Sequence, residues 1–464
     1  MNNTVSLIYQ SWFENDSSTN SSEDILSWIE ELNNNVSVSI KKVGLQDTDS
    51  WYYNSDSGEI VNTNQSFFSV RGIISSDNNK PFNYQPIMIQ REIGFLGILC
   101  KKIDGVMHFL MQAKIEPGNI NKIQISPTLQ ATKSNFTQRH GGNRPNYLDY
   151  FVNNQHEVVV DQVQSEQSSR FYKKRNRNII IRIKDNEIKE PDHAYKWMTL
   201  GQIRLFMNMD NLINMDTRTV VSCIPFSNVG SLSNNELDVF YNNFKDENLF
   251  KSIFYGDCEN YLPEIYGYIN RYKMFSGVRH EFTDIFALNG WKMKGNDFVC
   301  NSKYPFKMIF CKISIEGREV VQWSQPLFEA MGVSVFGLIC FNDNGVKKIV
   351  VRALPECGCF DQIELSTSVF QEANSVDNND FISKLFWGKV NNNEGILYDH
   401  LLSEEGGRFY HEQNRNIILE INKDELRFLP DGYFCVDLKT LNNLVQINNV
   451  LNIQLRNMLP LLIV

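Results

Sequence analysis

The sequence predicts an α+β protein built from one mixed-sheet domain repeated in tandem. Gln85-Pro86, Gly97, Cys100, Gly105-Val106, Glu116, Gly118 and Ser126 recur at Gln325-Pro326, Gly337, Cys340, Gly345-Val346, Glu356, Gly358 and Ser366, a constant offset of 325 − 85 = 240. Further on, Arg170-Phe171-Tyr172 and Asn176-Arg177-Asn178 recur as Arg408-Phe409-Tyr410 and Asn414-Arg415-Asn416, at an offset of 408 − 170 = 238. Trp51 with Trp291, and Asn214 with Asn452, carry the match toward both ends. Such a period far exceeds the roughly 20 to 50 residues of solenoid repeats. At 464 residues the chain is also longer than a single core sustains, so two domains are expected, 1–230 and 231–464.

Taken in order, residues 1–22 are rich in Asn and Ser and are expected to fray. An amphipathic helix comes next, with Ile25, Trp28, Ile29 and Leu32 on one face and Ser21 or Ser22 as its cap. The middle of each copy reads as strands. Gly94 to Lys101 and Val106 to Ala113 flank Asp104-Gly105, while Ser334 to Phe341 and Val346 to Ala353 flank Asn344-Gly345. Asp-Gly and Asn-Gly are strong hairpin signals, so both copies should carry the same hairpin. A later strand, Asn178 to Ile183 or Asn416 to Ile421, leads to a helix capped by Thr199 in one copy and Asp437 in the other. Thr199 with Gln202 fits a capping box. The polar stretch Ser227 to Asn235 is the expected linker. Strands with scattered helices and no regular βαβ alternation indicate a mixed sheet.

Composition narrows the function. A net charge of −9 argues against a general nucleic-acid binder, and no run of about 18 apolar residues suggests a membrane span. Nine cysteines, mostly in apolar runs, suggest reduced thiols and a cytoplasmic protein. The start has neither a basic segment nor an adequate apolar one, so no signal peptide is read. The histidines are scattered, Cys357-x-Cys359 lacks a second pair, and neither a dinucleotide fingerprint nor a Walker loop occurs, so no metal or bound cofactor is expected.

Two clusters could carry chemistry. Gln112, Lys114 and Glu116 are spaced by two and project from one face of an extended chain, with Pro117 and Gly118 turning it afterwards. Spacing alone fits a solvent-facing edge strand with a weak ion pair. The stretch from Asn119 to His140, however, is dense in neutral hydrogen-bonders, including Gln130 and Thr132, and suits a sugar. The second cluster is Arg170, Lys173, Lys174, Arg175 and Arg177, interleaved with Phe171 and Tyr172 and succeeded by Asn178. Cations at this density suit a diphosphate, with aromatic rings available to stack on a base. Lys114 is replaced by Leu354 and Gln130 by Phe370 in the second copy, so catalysis is expected in the first.

FLMQAKIEPGNINKIQISPTLQAT (109–132), HGG (140–142), SEQSSRFYKKRNRN (165–178) and NLINMDTRTVVSC (211–223) resemble the NDP-hexose 2,3-dehydratase family. WSQP (323–326) and SEEGGRFYHEQNRN (403–416) resemble its second half. The resemblance implies a duplicated Nudix-like fold and a hydro-lyase acting on a dTDP-linked 4-keto-6-deoxy sugar. The ketone at carbon 4 would acidify the hydrogen on carbon 3, so the reaction needs no NAD, PLP or metal. Lys114 and Glu116 are then expected as base and enolate stabiliser in either order, with His140 as the acid. Gln112, Asn119, Gln130, Thr132, Arg170, Tyr172, Lys174, Arg175, Asn176 and Arg177 are expected to bind the substrate. Trp323, Arg352, Glu356, Arg408, Tyr410 and Arg415 would form a second, degenerate nucleotide-sugar site. A homodimer is the expected assembly, with no nucleic-acid or membrane partner. A non-catalytic nucleotide-sugar binder and a Nudix-type pyrophosphohydrolase are the rival readings.

Overall fold

Each copy builds two sheets, and each lends one strand to a sheet of the other. The computed structural model describes residues 2–64, 67–137, 143–153, 155–228, 234–318, 320–375 and 380–462. Among these, the first copy's large sheet runs Glu157–Ser165, Arg175–Arg182, Gly94–Ile103, Val106–Ile115 and Tyr195–Met198. Ile123–Ser126 and Leu129–Ala131 pair along it. The second copy repeats this order with Ile396–Ser403, Gln413–Glu420, Ser334–Asp343, Val346–Pro355 and Tyr433–Val436. One parallel pairing in each, Gly94–Ile103 with Arg175–Arg182 and Ser334–Asp343 with Gln413–Glu420, makes the sheets mixed. The chain is therefore α+β with a duplicated unit, as its sequence pattern indicates.

The hairpins form at the expected turns. Ile103 faces Val106 and Asp343 faces Val346, while Asp104 and Asn344 adopt φ of 49° and 51° ahead of left-handed glycines. Ser21 caps helix Ser22–Asn35, Thr199 and Gln202 form a capping box, and the Asp437 carboxylate accepts from the Thr440 N–H. Residues 1–22 depart from expectation. Asn2–Phe13 is a helix that buries Tyr9 and Trp12 against Phe226, Phe240 and Phe254, because its apolar residues complete the core behind the large sheet. Part of the expected linker, 229–233, lies outside the described residues; a helix runs Asn234–Asn243 beyond it.

The small sheets carry the exchange. Trp51–Asn54, Glu59–Asn62, Ser69–Asp77 and Lys80–Ile89 belong to the first copy, yet the edge strand on Ser69–Asp77 is Val278–Thr283 of the second. Reciprocally, Val38–Val43 pairs antiparallel with Phe306–Ile315. The helix preceding each lent strand stays at home: Ile25, Trp28 and Ile29 of Ser22–Asn35 are buried against the first copy's core. Pairing capacity at a sheet edge is satisfied by the partner copy, which removes an edge otherwise prone to association.

A pseudo-twofold relation runs through the contacts. Trp51 Nε1 donates to the Ser324 carbonyl at 2.6 Å and Trp291 Nε1 to the Tyr84 carbonyl at 2.7 Å. Phe171 and Phe409 meet edge to face at 5.6 Å. Arg218 reaches the Ser403 carbonyl, and Arg456 the Ser165 carbonyl. Two loops interlock most tightly: Gly118 N–H donates to the Gly406 carbonyl, and Gly358 N–H to the Ser168 carbonyl. A Cβ on Gly118 would stand 1.6 Å from the Phe409 carbonyl oxygen, and one on Gly358 1.8 Å from that of Phe171. Neither backbone can yield without moving the other copy. Gly358→Ala should therefore destabilise the protein by about 3 kcal/mol, at the upper end for overpacking. Chemical denaturation measures this, and an unchanged midpoint would show that the loop has room to shift.

Candidate functional site

Because the copies interlock, the residues facing the first large sheet come from both. A cavity of about 240 Å³ opens there. From the first copy it is lined by Glu116, Gln130, Thr132, Glu166, Lys174 and Asp216, among others. The second copy contributes Arg318, Trp323, Gln325, Glu405 and Arg408. Asn62 of the first small sheet, with Asn64 and Phe67 between its strands Glu59–Asn62 and Ser69–Asp77, completes the lining.

Local structure explains who reaches in. Lys114 lies near the end of Val106–Ile115; its Nζ donates to the Gln130 carbonyl at 3.1 Å and stands 3.7 Å from Glu116 Oε1. Glu116, just past the strand, reaches the lining and is also held by Arg318 at 3.0 Å. Along Arg175–Arg182, alternation sends Asn176 to the cavity while Arg175 and Arg177 go to the opposite face. Lys173, at φ 55°, turns the chain so that Lys174 shares the side of Asn176; His411, at φ 52°, makes the same turn in the second copy. Gln130 sits in a polar net, accepting from Ser126 at 3.0 Å and from Asn214, the N-cap of helix Met215–Ser222, at 3.3 Å. Asp216 stands in the first turn of that helix.

The electrostatics are those of a dry, crowded site. Burial pushes the Asp216 carboxyl well above its usual range, and Glu166, Glu405 and Glu116 push it further, against Lys114. A helix N-terminus favours a carboxylate by only about 0.3 to 1 kcal/mol, too little to offset removal from water, which costs several. Burial likewise raises Glu405, against Arg408, and Glu166, against Lys174. It lowers Lys174 to about 8, against the attraction of Glu166 and Glu92. The Arg408 guanidinium bonds the Gly407 carbonyl at 2.8 Å and Gln90 Oε1 at 3.3 Å, and lies over the Phe68 ring at 4.3 Å. The cavity thus sets basic side chains beside carboxyls whose proton affinity is raised by burial, an arrangement able to bind an anion and move protons next to it.

The expected site residues are divided differently from the sequence reading. Lys114, Glu116, Gln130, Thr132, Lys174 and Asn176 come together at or beside the cavity. Gln112 stays in the sheet between Ser126 and Tyr195, and Asn119 donates to the Lys122 carbonyl. Arg177 is paired with Asp161 at 2.6 Å, and Arg415 with Asp399 in the same way, so their persistence is that of a cross-strand ion pair. Arg175 lies over the Phe360 ring at 3.8 Å, and Tyr172 packs edge-on to Phe282. Tyr410 stacks on His411. His140 lies outside the described residues. The largest correction concerns the arginines: Arg408 and Trp323, expected in the second site, line the first cavity, while Arg170 stands across the pseudo-axis.

At the position equivalent to the cavity, beside the second copy's large sheet, charges from both copies occupy the space. Arg170, 2% exposed, binds Glu372 at 2.7 Å, approaches Glu412 at 3.9 Å and covers the Phe306 ring at 4.1 Å. Glu372 replaces Thr132 (372 − 132 = 240), and Glu412 replaces Lys174 (412 − 174 = 238). Tyr304 replaces Asn64 (304 − 64 = 240) and hydrogen-bonds Asn83 and Gln85. Burial and the neighbouring Glu372 raise Glu356 to about 8. Arg352 turns to the Phe370 carbonyl and Tyr433. Asp216, Glu405 and Arg318 escaped the sequence reading. For Asp216 a signal existed, since Gln454 replaces it inside an otherwise matched segment (454 − 216 = 238); Arg318 sits in no repeated motif.

The family model for NDP-hexose 2,3-dehydratases matches residues 22–224 and again 262–462. A dTDP-4-dehydro-6-deoxy-α-D-glucopyranose 2,3-dehydratase of Saccharopolyspora spinosa is 34% identical over 440 residues, covering 93% of this chain and 89% of that protein. Proteins of the same name from Amycolatopsis orientalis (30% over 453 residues, 94% and 89%) and Streptomyces violaceoruber (31% over 432 residues, 90% and 92%) are also similar. With a family model matched by both copies and three relatives spanning almost all of its length, the chain belongs to the NDP-hexose 2,3-dehydratase family.

Proposed function

We propose that the protein removes water across carbons 2 and 3 of dTDP-4-keto-6-deoxyglucose, giving the 3,4-diketo-2,6-dideoxy sugar. The observation that carries this reading beyond family membership is the composite cavity, where Glu116 and Lys114 lie beside a set of cations suited to a diphosphate. The substrate's own ketone acidifies the hydrogen on carbon 3. Glu116, which reaches the lining, takes that proton, and Lys114 with Arg318 holds the negative charge that develops. Arg408 and Lys174 hold the diphosphate, and Trp323 or Phe67 offers a face to the base. The same reading takes 1–230 and 231–464 as Nudix-like domains of a cytoplasmic homodimer. Its cysteines are all free, as reduced thiols would be. Among the described residues no helix is long and apolar enough to cross a membrane.

Lys114→Ala and Glu116→Gln should each lower turnover by about 10²-fold or more while dTDP still binds. Water loss assayed by product formation, beside calorimetric titration with dTDP, separates the two effects; full activity in both variants would end the assignment.

The arginines give a sharper contrast. Arg408→Ala should raise the Michaelis constant by roughly tenfold, the scale of one charge-assisted contact. Arg170→Ala should leave it nearly unchanged and instead cost about 3 kcal/mol of stability, because it strands Glu412 and Glu372 without their cation. Calorimetry should find one dTDP per chain.

Lys174 sets a pH dependence. Its pKa is lowered to about 8 by burial, and the charged form is the one that holds phosphate. Affinity for dTDP should accordingly be full well below pH 8 and fall as pH rises through about 8, and Lys174→Met should flatten that part of the profile. A profile unaltered by the substitution would remove Lys174 from the binding site.

A further inference from the structure

We propose that Asp216 is the acid that protonates the oxygen departing from carbon 2. The proposal rests on the dehydratase reading and adds the group which that reading leaves unassigned. An elimination needs two proton transfers at neighbouring carbons, and Glu116 and Lys114 serve the carbon 3 side. Hydroxide is a poor leaving group, so the carbon 2 oxygen needs a donor on the same cavity wall.

Asp216 meets that need in four independent ways. It is 2% exposed yet lines the cavity with Glu116 and Gln130. Its Oδ1 is buried and makes no hydrogen bond, whereas buried carboxylates normally have several partners. It is held in place by helix Met215–Ser222, whose N-cap Asn214 is tied to Gln130. Finally, Gln454 replaces it in the copy that has also lost Lys114, although the flanking Asn214 and Arg218 persist as Asn452 and Arg456.

Its surroundings keep the proton on it. Glu166, Glu405 and Glu116 act against ionisation, and Lys114 acts for it. The cations on the elements packed against this helix are engaged elsewhere. Arg456 bonds Thr219 and the Ser165 carbonyl, Lys101 the carbonyls of Glu187 and Ile188, Arg177 the Asp161 carboxylate, and Arg182 Thr4. Arg218, on the helix itself, bonds the Ile213 and Ser403 carbonyls. In the reaction the C3–H electron pair forms the enolate and then the C2–C3 double bond. The C2–O pair leaves with oxygen, and the Asp216 proton completes water. The proton taken from carbon 3 by Glu116 returns to Asp216 before the next turnover, and the enol moves its own proton to carbon 2 to give the diketone.

A change of leaving group tests this. Fluoride needs no proton to depart, so the 2-deoxy-2-fluoro analogue of dTDP-4-keto-6-deoxyglucose should bypass the acid but still require the base. Asp216→Asn should lose water from the natural substrate at least about 10²-fold more slowly while retaining fluoride release. Glu116→Gln should be slow with both substrates. Equal losses for the two leaving groups, or full water loss by Asp216→Asn, would overturn the proposal. If Asp216→Asn fails to bind dTDP, the unsubstituted protein at saturating substrate decides: turnover by water loss should decline at alkaline pH where turnover by fluoride loss does not, and parallel profiles would overturn it. Failure of the unsubstituted protein to eliminate either group would instead reject the dehydratase reading itself.

Discussion

The exchange of one edge strand between the two copies is the constraint on which the rest of the structure depends. Val38–Val43 completes the second copy's small sheet and Val278–Thr283 the first copy's, so each Arg-Phe-Tyr turn is held against the other copy's Glu-x-Gly loop. The contacts that fix this arrangement are mostly backbone hydrogen bonds and close approaches at Gly118 and Gly358. Backbone contacts tolerate drift in the surrounding side chains, so the pseudo-twofold frame persists where the chemistry has diverged. The cavity beside the first large sheet is composite, lined by residues of both copies.

This accounts for how the second copy could change without disappearing. Arg318, Trp323, Glu405 and Arg408 line the first cavity, so they are tied to the first site although the second copy's sequence carries them. The opposite position was free to fill. Glu372 and Glu412 stand where Thr132 and Lys174 stand in the first copy, and Arg170 neutralises them. Removing one partner from such a buried set costs more than the set contributes by existing, which keeps all its members once it has formed.

The duplication, the hairpins, the helix caps and the paired Lys114 and Glu116 were legible because each depends on residues close in sequence. Asp104-Gly105 needs only its two flanking strands, and Thr199 only Gln202. The assignment of arginines was not legible, because an offset of 238 says that Arg170 and Arg408 are equivalent but not which cavity each one faces. That depends on a strand crossing between domains, and the alternation of Val38–Val43 fits either partner sheet equally well. The persistence of Arg177 as Arg415 was misleading for a similar reason: cross-strand pairing with Asp161 and Asp399 preserves a residue as firmly as ligand binding does. The more telling comparison is of losses, since Lys114, Lys174, Asp216 and Glu405 all change in the other copy and all gather at or beside the composite cavity.

That gathering poses an electrostatic problem whose solution is burial. Glu116, Glu166, Glu405 and Asp216 would, if all were ionised, cancel Lys114, Lys174, Arg318 and Arg408 and leave little attraction for a diphosphate. Removal from water raises Asp216, Glu166 and Glu405, so these acids give up their protons less readily and count less against the cations. The arginines do not give up their charge in exchange, since a guanidinium stays protonated at any physiological pH. Entry of a dianionic phosphate would raise the carboxyls further and draw Lys174 back to its charged form. The same low dielectric that makes the cavity attractive to an anion therefore also raises the proton affinity of the carboxyls beside it.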